Sequence, residues 1–169
     1  QNLLEWSRSQ IGCLKINSEV FNPAELVYEN IEVLKQHADT KQISITNKVA
    51  NEVLCQADKN MISTVFRNLI CNAIKFTNLQ GNIEISCCTQ NEFHEFCITD
   101  DGIGMNEKTK NELFNLNSKT QRAGTSKESG TGLGLLLCKE FVEKNGGEIS
   151  VTSKENEGST FCFTLPVAK

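Results

Sequence analysis

The sequence predicts an α/β fold in which helices cover a mixed sheet, and three observations carry that expectation. Apolar residues recur at helical spacing in several long segments, among them 23–39, 58–78 and 133–144. Shorter runs alternate apolar with polar residues, as in Ile83, Ile85 and Cys87 and again in Phe96 and Ile98. These short runs arrive as neighbouring pairs joined by turns, not each followed by a helix, so an alternating βαβ dinucleotide fold is excluded.

Residues 1–17 are expected to be helical, with Leu3, Leu4, Ile11 and Leu14 on one stripe. Asn22 then serves as N-cap and Pro23 as first residue of a second helix, which Leu26, Val27, Ile31 and Leu34 carry to about Asp39. Two extended runs, 43–48 and 53–56, precede Asp58, which caps a long helix ending near Asn78. A hairpin ending at Asp100 follows, then a short helix over 106–113. Residues 115–129 show no apolar periodicity, and a stretch of that length inside a compact domain is usually functional. The helix over 133–144 is closed by Asn145-Gly146-Gly147, and a last strand pair, 149–151 and 161–165, turns at Asn156-Glu157-Gly158.

The 169 residues suffice for one domain and a short appendage. A net charge of −4 supplies no basic field for nucleic acid or an anionic membrane surface. No apolar run approaches the roughly 20 residues of a membrane span, so no direct membrane contact is expected of this chain. Opening on Gln1 already in helical pattern, it is expected to be a piece of a longer protein. The eight cysteines form no C-x-x-C pair and mostly sit inside apolar-periodic segments. They are expected to be buried, reduced thiols of a cytoplasmic domain.

Three polar motifs carry the chemistry. On the long helix, Asn68, Asn72 and Lys75 form a stripe at i, i+4 and i+7 beside the apolar face of Ile62, Val65, Phe66, Leu69, Ala73 and Phe76. A carboxamide oxygen is a neutral hard ligand suited to Mg²⁺, and the Lys75 ammonium neutralises phosphate. Asp100-Asp101-Gly102-Ile103-Gly104 ends a strand; a carboxylate there accepts from an exocyclic amine, and the glycines admit a flat ring. Gly130-Thr131-Gly132-Leu133-Gly134-Leu135 opens a helix whose free N–H groups favour phosphate. Each alone has a plainer reading, as a solvated face, a tight turn or a solvated charged loop. Their fixed order points to a purine nucleotide with a chelated divalent cation.

Together these residues resemble the catalytic and ATP-binding domain of sensor histidine kinases, within the GHKL group that includes DNA gyrase B, a mismatch-repair ATPase and a heat-shock chaperone. Residues 67–77 look like the family's N box, Asp100 to Gly104 its D-x-G-x-G box, Glu112-Leu113-Phe114 its F box and Gly130 to Leu135 its second glycine box. Gly146-Gly147-Glu148-Ile149 and Gly158-Ser159-Thr160-Phe161 with Leu165-Pro166 match its terminal strands. The F box departs from the pattern, with Asn117 where a second aromatic often stands.

The resemblance implies a Bergerat-type two-layer α/β sandwich, with a mostly antiparallel sheet covered on one face by helices. It further implies residues 1–20 as the tail of a second dimerisation helix, and 21–169 as the ATP-binding kinase domain with a lid over 115–129. Asn72 is then the Mg²⁺ ligand with Asn68 beside it, Lys75 lies on a phosphate, Asn68 and Lys75 serve catalysis, Phe76 packs near the nucleotide, and Asp100 reads the adenine amine. Gly102, Gly104, Met105, Thr120, Gly130, Thr131, Gly132, Leu133, Gly134 and Leu135 shape the pocket, and Thr160 is a secondary contact on the base side. The expected reaction is γ-phosphoryl transfer from ATP to a histidine on the parent kinase's dimerisation helices. A response-regulator receiver domain is the onward partner and a membrane-anchored sensor the parent.

The chain's own His37 and His94 lack the acceptor motif and are expected to be ordinary surface or hydrogen-bonded residues. The alternatives are a GHKL-type ATPase or a non-catalytic nucleotide-binding module. The ATPases that resemble gyrase place a carboxylate base one turn before the metal-binding Asn, and here that place holds Asn68.

Overall fold

The computed structural model describes residues 15–114, 124–126 and 132–168. Strand β1 (Ser18–Phe21) leads into α1 (Pro23–Thr40), β2 (Ser44–Asn47), β3 (Cys55–Asp58) and the long helix α2 (Lys59–Phe76). The hairpin β4 (Asn82–Gln90) and β5 (Phe93–Asp100), short α3 (Glu107–Glu112), α4 (Gly134–Lys144), β6 (Ile149–Lys154) and β7 (Gly158–Pro166) complete it. A five-stranded sheet runs β2-β4-β5-β7-β6, and β1 pairs with β3 in a separate two-stranded ribbon. Only the β2–β4 pairing is parallel; β4–β5, β5–β7 and β6–β7 are antiparallel. The expected mixed, mostly antiparallel sheet with helices is therefore the observed α/β architecture.

Helix starts follow their caps. The Asn22 side chain accepts from Ala24 N–H at 2.8 Å with Pro23 in the first turn, as the sequence predicts. Asp58 Oδ1 accepts from Asn60 and Met61 N–H at 3.1 and 3.0 Å, satisfying two of the orphan donors of α2. Strand β1 is a difference from the expected helical segment. The boundary placed after residue 20 falls inside it, because Ser18 to Phe21 register against Asp58 to Cys55. Residues 1–14 lie outside the described residues.

The sheet has one buried and one exposed face. Ile83 and Ile85 of β4, Phe96 and Ile98 of β5, and Phe161, Phe163 and Leu165 of β7 point inward against α2 and α4. Phe66 of α2 stands edge-on to Phe96 and Phe163, with ring centroids 5.5 and 5.1 Å away, while those two rings stack at 5.4 Å. Helix α4 runs antiparallel to α2. At its C-terminal cap, Asn145 accepts from Asp58 N–H at 2.7 Å through Oδ1, and nearer its N-terminus Cys138 Sγ meets Val65 O at 3.9 Å. The N-terminus of α4 consequently lies beside the turn of α2 that bears Asn68 and Asn72.

The cysteines correct two expectations, since Cys71 and Cys88 are exposed and one pair is oxidised. Buried Cys55 and Cys138 are free thiols, as predicted, and burial pushes Cys55, which also faces Cys87, up to about 12. Cys97 and Cys162 are instead joined in a disulfide. They are direct register partners on β5 and β7, with Cα atoms 4.1 Å apart, and their side chains lie on the outer face of the sheet. Cross-strand pairing brings their Cβ atoms together, which periodicity along one strand does not reveal.

His94 is buried, with Nδ1 2.8 Å from Thr89 Oγ1 and Nε2 3.2 Å from Leu54 O, while His37 is exposed. Both fit the ordinary roles expected of them.

Replacing Phe66 by Ala is expected to cost about 3–5 kcal/mol, because neither neighbouring ring can close the void; chemical denaturation measures it. Thr77 Oγ1 is buried without a hydrogen-bond partner among the described residues. Thr77→Val, of similar shape, is expected to leave stability unchanged or raise it by up to about 1 kcal/mol in the same assay.

Candidate functional site

The site is built around the C-terminal end of α2, where a helix leaves its last carbonyls without partners inside itself. Ala73 O accepts from Thr77 N–H at 2.9 Å and Phe76 O from Ile103 N–H at 3.1 Å. Ile74 O and Lys75 O accept from the Lys41 ammonium at 2.9 and 3.0 Å, and Lys75 O also from Thr125 N–H at 3.0 Å. Thus the loop after β5, the junction after α1 and the segment 124–126 all converge on this helix end.

Asp100 sits at the end of β5 on the inward face, 5% exposed, opposite Ser159 of β7. Burial, opposed by backbone N–H bonds from Gly102 and Ser159 and reinforced by neighbouring Asp101, pushes its carboxyl up to about 6. The Gly102 bond measures 2.9 Å. Asp101 does different work: its two carboxylate oxygens accept from the backbone and side-chain nitrogens of Asn82 at 2.8 and 2.9 Å, clamping the turn. Of the two adjacent acids, Asp100 alone faces inward.

The glycines of this loop are required by close approach. A Cβ on Gly102 would lie 2.3 Å from Phe76 O and 2.7 Å from Asp100 Oδ1. Gly104 adopts φ +57°, and a Cβ there would lie 1.9 Å from Lys154 O. Glycine therefore lets the loop thread between the α2 end and the β6–β7 turn, where Asn156 N–H donates to Ile103 O at 2.9 Å. Met105 is half-buried against the core.

Along the rim of α2, Asn68, Asn72, Lys75 and Phe76 are all half-buried. Asn68 Nδ2 donates to Thr64 O at 2.9 Å, and the Lys75 ammonium lies 4.9 Å from the centroid of the Phe76 ring. These carboxamide oxygens suit a hard cation that keeps waters and phosphates as its other ligands. Among the described residues, no group of three or more His, Cys, Asp or Glu side chains gathers to hold a metal ion.

Across from this rim, Leu133 occupies the N-cap of α4 without a side-chain cap bond. Leu137 N–H makes the first helical bond, to Leu133 O at 3.0 Å, so the N–H groups of Gly134, Leu135 and Leu136 have no helical acceptor. Gly132, at φ +72°, turns the chain into the helix. A positive helix end without a cap bond from Leu133, beside the turn of α2 that bears two carboxamides, is suited to polyphosphate.

Not every expected residue joins the site. Thr160 is on the outer face of the sheet, its hydroxyl 3.1 Å from Thr99 Oγ1, one alternation away from Asp100. The residue on the inward face is Ser159, whose hydroxyl lies 3.0 Å from Ser153 Oγ. Strand alternation counted back from Phe161 and Phe163 signals this, since 159 shares their face. Thr120, Gly130 and Thr131, and most of the expected lid, lie outside the described residues. Lys41 carried no motif and was not expected.

With that geometry in place, residues 57–169 match the family model described as histidine kinase-, DNA gyrase B- and HSP90-like ATPase. The chain is 30% identical over 174 residues to the sensor protein GacS of Pseudomonas syringae pv. syringae, covering 99% of this chain and 19% of that protein. It is 32% identical over 165 residues to the sensor protein SrrB of Staphylococcus aureus, covering 97% of this chain and 28% of that protein. The chain thus spans less than a third of the length of these relatives. The nucleotide-free catalytic domain of histidine kinase ThkA superposes with a TM-score of 0.78 at 27% identity, covering 89% of this chain and 96% of that one. Full-length ShkA in complex with AMPPNP shares the fold, with a TM-score of 0.83 at 22% identity, covering 99% of this chain and 35% of that one.

The raised Asp100 carboxyl sets a pH dependence. An exocyclic amine needs the ionised carboxylate as its acceptor, so affinity for an adenine nucleotide read at this residue is expected to fall as pH drops through about 6, reaching about tenfold weaker near pH 5 by calorimetry. Because the folded state disfavours that charge, Asp100→Asn is expected to raise the melting temperature of the nucleotide-free protein at pH 7.

Proposed function

The chain belongs to the family of histidine kinase-, DNA gyrase B- and HSP90-like ATPases, and from that premise we propose that it serves its parent sensor protein by transferring the γ-phosphoryl group of ATP to a histidine on the parent's dimerisation helices. The observation that carries the reading is the buried Asp100, held by two backbone amides at the mouth between the α2 end and β7. Such a carboxylate, costly to bury, is suited to the amino group of adenine. The polyphosphate then extends from the base towards the α4 N-terminus and the α2 rim.

Chemically, the imidazole nitrogen forms a bond to Pγ as the bond from Pγ to the β,γ-bridging oxygen breaks, and ADP leaves with that oxygen. The protein supplies positioning and charge neutralisation. Asn72, with Asn68 beside it, would hold Mg²⁺, which supplies neutralisation of the phosphates when bound. Lys75 and the first-turn α4 N–H groups orient the phosphates, and Phe76 and Met105 flank the base. Ser159 takes the place on the base side first expected of Thr160.

Asn68 favours transfer over hydrolysis: a carboxamide is not a base, and its nitrogen is already committed to Thr64 O. The receiver domain of a response regulator is the onward acceptor. A sensor as the parent fits the relatives' description as sensor proteins, and its membrane anchor would lie in other segments, since no described helix is long and apolar enough to cross a membrane.

The test mixes this chain with ATP, Mg²⁺ and a separate fragment bearing the parent's acceptor histidine. Acid-labile phosphate on that fragment is expected, at least about 100-fold reduced by Asn72→Ala or Asp100→Asn. Rapid ATP turnover without any acceptor would establish the ATPase reading instead.

A further inference from the structure

Lys41 is 4% exposed, an unusual place for an ammonium group. It follows α1 directly, yet its side chain reaches the far end of another helix. Its Nζ donates to Ile74 O at 2.9 Å, Lys75 O at 3.0 Å and Thr125 Oγ1 at 2.7 Å. The first two acceptors are terminal carbonyls of α2, where the helix dipole is negative and a cation is favoured. The third belongs to a segment 84 positions away in sequence.

Thr125 completes a closed network. Its hydroxyl accepts from Lys41 and lies 2.9 Å from Thr77 O, to which it donates, while its N–H donates to Lys75 O at 3.0 Å. Capping a helix end alone takes only a glycine or an asparagine. A buried ammonium joining three segments does more, because its donors fix the segments relative to one another. Two of those segments meet at Lys75, whose side chain stands on the phosphate rim.

We propose that Lys41 is a positioning residue for nucleotide engagement: through Thr125 and the terminal carbonyls of α2 it holds segment 124–126 and the Lys75 turn in the one arrangement that accepts a triphosphate. This rests on the ATP-binding reading of the site. The Lys41 ammonium takes Ile74 O and Lys75 O, whereas the Asp100 loop is held by a different carbonyl, Phe76 O, through Ile103. Loss of Lys41 therefore acts on the phosphate half of the site and leaves the base half in place.

The experiment measures ATP and AMP affinities of the intact chain by calorimetry with Mg²⁺ present, alongside its thermal melt. Lys41→Met is expected to weaken ATP about tenfold or more, as for loss of charge-assisted bonds, with AMP affinity changed by less than about twofold. Thr125→Val is expected to weaken ATP severalfold, and Thr125→Ser, which keeps the hydroxyl, to restore the parental value. Lys41→Met combined with Thr125→Val is expected to be no worse than Lys41→Met alone, since both cut one network. Equal weakening of ATP and AMP, additive losses, or an unchanged ratio in Thr125→Val would each overturn the proposal. Should Lys41→Met not fold, the Thr125→Val and Thr125→Ser pair decides the matter by itself. Failure of the parental chain to bind ATP would overturn the nucleotide reading, a separate result.

Discussion

Four carbonyls at the end of α2 must find donors, and the way they find them organises the molecule. Had a glycine turn closed the helix locally, its end would be stable but unconnected. Here the donors come from Thr77, Ile103, Lys41 and Thr125, so the β5 loop, the α1 junction and segment 124–126 are tied to one point. The other end is fixed as firmly: Asp58 caps the helix, and its own N–H donates to Asn145 of α4. With both ends fixed and Phe66 wedged against Phe96 and Phe163, the rim bearing Asn68, Asn72 and Lys75 has a set direction.

Function is placed where this frame is least comfortable. Asp100 is buried on the core side of the sheet, where its charge is disfavoured, yet it is held by amides that favour that charge. The glycines around it are positions where any Cβ would strike backbone. At the opposite wall α4 begins without a side-chain cap. An apolar strand end and a capped helix would both be more stable; the costs left in place are the ones a bound nucleotide can relieve.

The outer face of the sheet shows how much depends on register. The Cys97–Cys162 disulfide and the Thr99–Thr160 pair are neighbours there, and both follow from β5 and β7 being matched residue for residue. A shift of one residue would exchange Ser159 for Thr160 at the Asp100 wall. Read along a single strand, the cysteines pass for small core residues and Thr160 for a pocket residue; the pairing assigns them otherwise.

By itself the sequence determined the local structure: the caps at Asn22 and Asp58, the helical spacing of α1, α2 and α4, the alternation of β4 and β5, and the three polar motifs with their order. Those signals lie within a few residues of one another, where dihedral preference and side-chain period act directly. Tertiary structure decided what belongs together across distance. It paired Ser18–Phe21 with β3, chose Asp100 over Asp101 as the inward acid, turned Ser159 inward and Thr160 outward, and joined Cys97 to Cys162. It also brought Lys41 to the α2 end. A lone lysine after a helix carries no local pattern, because the carbonyls it satisfies belong to a segment 33 residues further along the chain.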